Sequence, residues 1–224
     1  MAKHEHTTER SVEIGASGRS GRPDVKRSPR GAENVQRSRI LETSARLFAH
    51  QGFEGTSINE IADEVNLSKA TLYHYFSGKE DIYSEIIVDT LDRLLASVRE
   101  AVARKDRPPA RLVAAMEAHA QFFEDNFWAF TAMLIGFGGI RELNRRARAV
   151  ALRDIYEAIF RDIVTAGIAA GDFRAGDPAV AARAILSMLN WMARWYKPGG
   201  AKRAREFAQE YAALMMRGLC VPEI

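Results

Sequence analysis

Apolar residues recur along this chain at the three-to-four-residue spacing of helices, and no segment shows the strict alternation of a half-buried strand. Ile40, Leu41, Ser44, Leu47 and Phe48 share a face over 34–51, and Gly52 should end that helix. Phe53 is expected to pack beneath the next two helices, and Gly55 to let the chain turn. Ile58, Ile61, Ala62 and Val65 then fall at i, i+3, i+4 and i+7, one face of a short helix. Ser57 with Glu60 fits a capping box at its start. Asn66 tolerates the left-handed conformation that a helix stop needs, Leu67 can plug the turn into the core, and Ser68 can cap the next helix. That helix, Lys69 to Tyr75, keeps Leu72 and Phe76 for packing and turns Lys69, Ala70, Thr71, Tyr73, His74 and Tyr75 outward. Ser77 and Glu80 repeat the capping-box pattern and open a long amphipathic helix from Lys79 to about Arg104.

Asp106-Arg-Pro-Pro109 breaks that helix, and a new one from about Ala110 carries Leu112, Met116, His119 and Phe123. A nearly all-apolar stretch over 127–137 comes next, ended by Gly136 and Gly138-Gly139. A long helix is expected over 140–170, then a loop over 171–176. Asp177-Pro178 reads as an N-cap with proline at the first helical position, opening a helix to Tyr196. Lys197-Pro-Gly-Gly200 is a turn, and the last helix runs over 201–217. The pattern predicts an all-α protein of about nine helices: a tail over 1–33, a three-helix module over 34–78 containing a helix-turn-helix, and a helical bundle over 79–220. The second helix of a helix-turn-helix is suited to a DNA major groove.

Composition narrows the class. The 224 residues are 47 % hydrophobic and 27 % charged, ordinary for a globular protein. No apolar run is long enough to span a membrane, and the polar N-terminus has no secretory signal, so a cytoplasmic protein is expected. The single cysteine, Cys220, leaves no intramolecular disulfide and no cysteine-based zinc site. Net charge is only +3 and unevenly placed: residues 1–39 hold nine Lys/Arg against five Asp/Glu, whereas 35–80 hold five against six. DNA affinity must therefore come from where the cations sit. The tail has two readings, a poorly ordered leader or a basic arm reaching DNA through Arg19, Arg22, Lys26, Arg27 and Arg30.

The string T-S-x-x-x-I-A-x-x-x-x-L-S-K-A-T-L-Y-x-Y-F-x-x-K-E-D, from Thr56 onward, closely resembles the DNA-binding signature of the TetR family of bacterial transcriptional regulators, over roughly 37–87. Asn66 stands where members often have glycine, and Tyr75 where they often have histidine; Asn serves the turn and a Tyr hydroxyl can reach a phosphate. The resemblance implies that Thr56, Tyr75 and Lys79, with Ser57 beside them, hold phosphates, while Lys69, Ala70, Thr71, Tyr73 and His74 face the groove. The ending W-x-x-R-W-Y-x-P-G-G over 191–200 and the helix after it look like a TetR subgroup tied to lipid, sterol and acyl-CoA catabolism.

Two readings are open for the aromatic-rich segment holding Phe122, Phe123, Phe127, Trp128, Phe130 and Phe137: plain core, or the lining of a ligand cavity with His119 as a polar contact and Trp191 closing a wall. Arg141, Arg145 and Arg148 form a stripe, either a solvated face or an anion site at the cavity mouth. Alanine rows on the last two helices, with Ala181, Ile185, Ala204, Phe207, Ala208 and Tyr211 as the expected contacts, allow close helix packing; in the family the corresponding helices form the dimer interface.

The expected function is a homodimeric regulator, a repressor released from a palindromic DNA operator by an apolar or amphipathic effector of acyl-CoA type. A TetR-like activator or a ligand-independent regulator are the alternatives within the class. A helical-bundle enzyme is the one outside it, for which no triad, metal-ligand or carboxylate-pair spacing stands out. No cofactor, metal or membrane partner is expected.

Overall fold

A computed structural model describes residues 29–136 and 139–219, with side chains from residue 33 onward. Residues 1–28 of the basic tail, Phe137 and Cys220 lie outside the described residues; residues 29–33, expected in the tail, are the start of the first helix. Nine α-helices are described: α1 (Pro29–Gly55), α2 (Ile58–Glu64), α3 (Lys69–Tyr75), α4 (Lys79–Ala103), α5 (Pro108–Asp125), α6 (Phe127–Leu134), α7 (Leu143–Ala169), α8 (Pro178–Trp191) and α9 (Ala204–Leu219), with a 3-10 turn at Met192–Arg194. No strand occurs among the described residues.

Helices α1–α3 close on Ile40, Phe48, Ile61, Leu72 and Phe76, all buried. The break expected at Gly52 is present: its φ of 74° interrupts α1 one turn before the end, a conformation that costs glycine little. Helix α4 is the spine. It packs on α1 at its N-terminal end and on α5, α6 and α7 beyond, while α9 lies chiefly on α5. Its inward row of Ile82, Ile86, Leu91, Leu94, Val98 and Val102 is buried, as its spacing predicts.

Helix α1 begins at Pro29 rather than 34 and α9 at Ala204 rather than 201, and three further differences from the sequence expectation have a visible cause. Ser77 and Glu80 do not cap each other: the Ser77 backbone N–H and hydroxyl both donate to Asp81 Oδ2, at 2.9 and 3.1 Å. Glu80 instead accepts the backbone N–H groups of Arg141 and Glu142. Those bonds hold the chain before α7, which starts at Leu143 rather than near 140. Helix α8 stops at Trp191, five residues early, because the chain tightens into the 3-10 turn that buries Met192 and Tyr196.

Candidate DNA-binding surface and effector cleft

The helix-turn-helix is built by local hydrogen bonds. Glu60 N–H donates to Ser57 Oγ at 3.1 Å and the Glu60 carboxylate accepts the Ser57 N–H at 3.5 Å, completing the capping box. Asn66 takes φ 54°, while Asn66 N–H donates to Asp63 O and Leu67 N–H to Ala62 O, at 3.0 and 2.9 Å. This is the paired-bond helix stop usually made by glycine. Ser68 Oγ accepts the Thr71 N–H at 3.0 Å and opens α3. Lys69, Ala70, Thr71, Tyr73 and His74 are exposed on α3, and Tyr75 is half-buried. The Thr71 hydroxyl also lies 2.8 Å from Ser68 Oγ, so it is partly engaged in the cap.

Two residues expected to bind phosphate have internal roles. Thr56 is buried and its hydroxyl donates to Gly52 O at 2.9 Å. That donor is already used, so the expectation of a Thr56 hydroxyl on phosphate is corrected to a bond that closes the end of α1. Lys79 donates to Phe53 O at 2.7 Å and lies 4.3 Å over the Phe53 ring. An ammonium has three donors, so Lys79 can serve both this junction and a phosphate. Lys79→Met should therefore lower the melting temperature and also reduce the salt slope of DNA binding by about 1; an unchanged slope in a salt titration would leave Lys79 with the junction role alone. Among the other cations of the module, Arg37 pairs with Glu85 and Arg46 with Glu64. Lys69 projects from the first turn of α3, so Lys69→Ala should alter the order of preferred operators in a binding-site selection, by about 1–3 kcal/mol at the base pair it reads.

The module meets the bundle at an aromatic joint. The Tyr83 ring lies 4.9 Å from Phe48 and 4.8 Å from Phe53, and its hydroxyl donates to Gly136 O at 2.9 Å. Burial pushes the Tyr83 phenol up to about 12, so it is a donor at any physiological pH. Gly139 closes the joint from the other side: a Cβ there would lie 2.6 Å from the Phe53 ring and 2.8 Å from that of Tyr83.

Two arginines of the stripe meet carboxylates of α4, while Arg141 is exposed. Arg145 pairs with the Asp81 carboxylate and with Glu142, and donates to Ser84 Oγ at 2.6 Å. Arg148 pairs with Asp92 at 2.5 Å. Burial alone would raise the Asp81 carboxyl, but the Ser77 N–H and the Arg145 guanidinium outweigh it and hold Asp81 below the usual carboxylate range. Arg145 and Arg148 are thus corrected from an anion site to clamps between α7 and α4, because each meets a carboxylate that the sequence places more than fifty residues away.

The aromatic segment divides. Phe123 and Phe130 are fully buried and pack edge-on with each other, Phe123 also with Phe127 and Tyr196. Phe122 is buried beneath Arg93. The Trp128 ring lies tilted at 4.6 Å from that of His50 of α1, and Trp191 is exposed. For Phe122, Phe123 and Phe130 the lining role is therefore corrected to core packing, whereas Phe127 and Trp128 line a cleft of about 380 Å³ against Leu41 of α1 and Ile86 of α4. A second cleft, of about 520 Å³, lies between α4, α6, α7 and α8. Leu91, Leu94, Met133 and Leu186 give it an apolar wall, Tyr156, Ser187 and Asn190 add polar groups, and Arg153 and Glu157 of α7 and Arg183 of α8 also line it, Arg183 paired with Glu157 at 3.3 Å. The signal for it was Arg153 with Tyr156 and Arg183 with Leu186, each at i, i+3 on its helix.

His119 does not line that cleft. It is fully buried, with Nδ1 at 2.6 Å from Tyr156 Oη. Burial lowers its imidazole to about 3. Since the unfolded chain protonates near 6.5, the folded state binds fewer protons below that value. Stability should be full above pH 6.5 and fall as pH drops toward 3; His119→Leu should flatten this part of a melting-temperature profile.

The expected dimer contacts also divide. Ile185, Ala204 and Ala208 are buried within the protomer, as is Ala212, so the alanine row of α9 is corrected from the dimer face to the seat of α9 on α5. Ala181, Phe207 and Tyr211 are half-buried. The large apolar side chains left outward on the last two helices are Val180, Trp191 and Leu214, exposed by 61, 63 and 62 %. On α8 they continue through Ala184, and on α9 they follow Phe207 and Tyr211 at helical spacing. An unpartnered apolar face of this kind on paired helices marks an interaction surface.

Residues 40–86 match the family described as bacterial regulatory proteins, tetR family, and residues 105–219 match the tetracyclin repressor-like C-terminal domain. The chain is 29 % identical over 200 residues to the HTH-type transcriptional repressor KstR2 of Mycobacterium tuberculosis, covering 84 % of this chain and 95 % of that protein. The solved structure of that ketosteroid transcriptional regulator superposes with a TM-score of 0.80 at 27 % identity, covering 84 % of this chain and 97 % of the other. The regulator PfmR of Thermus thermophilus gives a TM-score of 0.75 at 44 % identity, over 80 % of this chain and 97 % of that one. AibR, solved in complex with isovaleryl coenzyme A and operator DNA, gives 0.70 at 28 % identity, over 80 and 97 %.

Proposed function

Because this chain belongs to the TetR family of bacterial regulatory proteins, we propose that it is a homodimeric repressor whose operator is released when an acyl-CoA-type ligand enters the cleft between α4, α6, α7 and α8. The observation that carries this reading is that one helix serves both ends. The first turn of α4 grips the helix-turn-helix through Lys79, and Leu91 and Leu94 of the same helix line the cleft, about 18 Å further along. A ligand that displaces α4 therefore displaces the recognition helix. Two copies would place α3 in successive major grooves about 34–36 Å apart, a spacing that small tilts of α4 change.

The ligand class is supported by chemistry and by relatives. A cleft of this size with a largely apolar wall takes a short acyl chain, and the guanidinium groups of Arg153 and Arg183, which pair with Asp154 and Glu157, would exchange those carboxylates for the phosphates of the head group. The relative KstR2 is a transcriptional repressor, and AibR was solved with an acyl-CoA and operator DNA. The protein acts as a cytoplasmic regulator rather than an enzyme; among the described residues no helix is long and apolar enough to cross a membrane.

The test is a gel-shift titration of the operator complex with octanoyl-CoA and with octanoate. Octanoyl-CoA should release DNA at a concentration at least about tenfold lower, the factor that about 1.4 kcal/mol of extra head-group binding gives. Arg183→Ala should narrow that gap. Equal action of acid and thioester would remove the coenzyme A part of the reading, and no release by either would remove the ligand class.

A further inference from the structure

The wall of the cleft at Tyr156 is backed by a polar atom in an otherwise apolar layer. Tyr156 Oη lies 2.6 Å from His119 Nδ1, both side chains buried. The His119 ring meets Phe130 edge-on at 5.2 Å, and the Tyr156 ring meets Phe160 at 5.6 Å. His119 Nε2 has no hydrogen-bond partner among the protein atoms, and neither has Thr131 Oγ1 on the adjoining helix α6.

The proton positions follow from which groups must be satisfied. If His119 Nδ1–H donated to Tyr156, the phenol proton would lack an acceptor and the Nε2 lone pair a donor, leaving two buried groups unmet. If Tyr156 O–H donates to Nδ1, only Nε2–H is unmet. The second arrangement therefore holds, and it leaves a neutral imidazole N–H as a buried donor on a ring packed between Tyr156 and Phe130. A neutral donor in an apolar layer favours a neutral acceptor, because stripping water from a carboxylate is not repaid by one hydrogen bond.

We propose that His119 Nε2–H is the polar recognition group of the effector site and takes a neutral carbonyl oxygen, a thioester or ketone, of a ligand whose apolar body fills the cleft, with Tyr156 as the positioning residue that sets the imidazole tautomer. This rests on the reading of the cleft as the effector site. Helix α6 separates the two places: Met133 and Leu134 face the cleft, whereas Phe130 meets His119. A carbonyl reaches Nε2 by shifting α6, and Tyr83 holds the end of that helix through Ala132 O and Gly136 O, at 3.3 and 2.9 Å. Recognition of the carbonyl is thereby mechanically continuous with the aromatic joint under the helix-turn-helix.

The experiment compares octanoyl-CoA with S-octyl-CoA, the thioether that keeps chain, sulfur and nucleotide but lacks the carbonyl oxygen, by titration calorimetry on the full chain. The parent should bind the thioester at least tenfold tighter than the thioether. His119→Leu should bind both equally, at the level of the thioether in the parent. His119→Gln, which keeps a donor near the Nε2 position, should restore part of the preference, and Tyr156→Phe should reduce it. Melting temperatures run beside the titrations, and the double variant His119→Leu/Tyr156→Phe, which removes both polar partners together, guards against loss of fold in either single one. Equal binding of both probes by the parent overturns the role of His119 while leaving the cleft as the effector site. A thioester preference that persists in His119→Leu overturns it too, and assigns Nε2 to a structural water. Binding of neither probe removes the acyl-CoA reading and this proposal together.

Discussion

Leu214→Glu should dissociate the dimer and weaken operator binding by about 10²-fold or more, with the protomer still folded. Leu214 stands outward on α9 beside Phe207 and Tyr211, and the exposed Val180 and Trp191 run along α8. A specific dimer must bury at least about 1,000 Å², and this is the apolar surface on the last two helices with no partner in the protomer. A carboxylate placed at its centre is desolvated without a counter-ion, which costs more than a typical interface hot spot returns. One module then binds one half-site, and the avidity from linking two sites, typically about 10²–10⁴, is lost. Light scattering and a gel shift at the same protein concentration measure both effects. A dimer with parent affinity would place the interface elsewhere. Ala208→Arg is the informative contrast: Ala208 is fully buried where α9 lies on α5, so arginine there should unfold the protomer rather than split a dimer.

Arg145→Ala should leave ligand binding within about twofold of the parent and cut ligand-induced release from DNA to almost nothing. Arg145 joins α7 to the first turns of α4 through the Asp81 carboxylate, the Asp81 carbonyl and Ser84 Oγ. Tyr156 in the cleft wall is about three turns further along α7. Motion of α7 on ligand entry therefore reaches α4 beside Lys79, the residue on Phe53 of the module. Coupling between sites is usually worth about 1–3 kcal/mol, and the partly buried Arg145–Asp81 pair is of a kind whose loss is of that order. Arg148→Ala, which removes a more exposed pair with Asp92, should reduce release only slightly. Parallel calorimetry and gel-shift titration separate binding from release. Parent-like release by Arg145→Ala would shift the coupling route to Tyr83 and α6.

Where the sequence reading succeeded, the deciding contacts are short in sequence. The capping box at Ser57 and Glu60 spans three residues, the bonds around Asn66 span five, and Ser68 caps its own helix within three. The same logic misassigned Glu80, because two backbone N–H groups at 141 and 142 compete for its carboxylate. Arg145 and Arg148 carry the spacing of an anion site in sequence, and nothing local reveals Asp81 and Asp92 opposite them. The alanine row of α9 illustrates a two-sided helix. Ala204, Ala208 and Ala212 and the stripe of Phe207, Tyr211 and Leu214 both recur at helical spacing, and only the position of α5 decides that the small row is inside.

The sequence by itself determined the helices, the turn chemistry of the helix-turn-helix and the family, since each is written in residues a few positions apart or in a motif read directly. The tertiary structure decided which face of α9 is left for a partner, that Phe123 and Phe130 are core while Phe127 and Trp128 stand at a cleft, and that Arg145 and Arg148 of α7 clamp α4. Those choices rest on pairings between residues tens of positions apart. Helical periodicity tells that a face is apolar or charged, and the partner that meets it is set by how the helices pack.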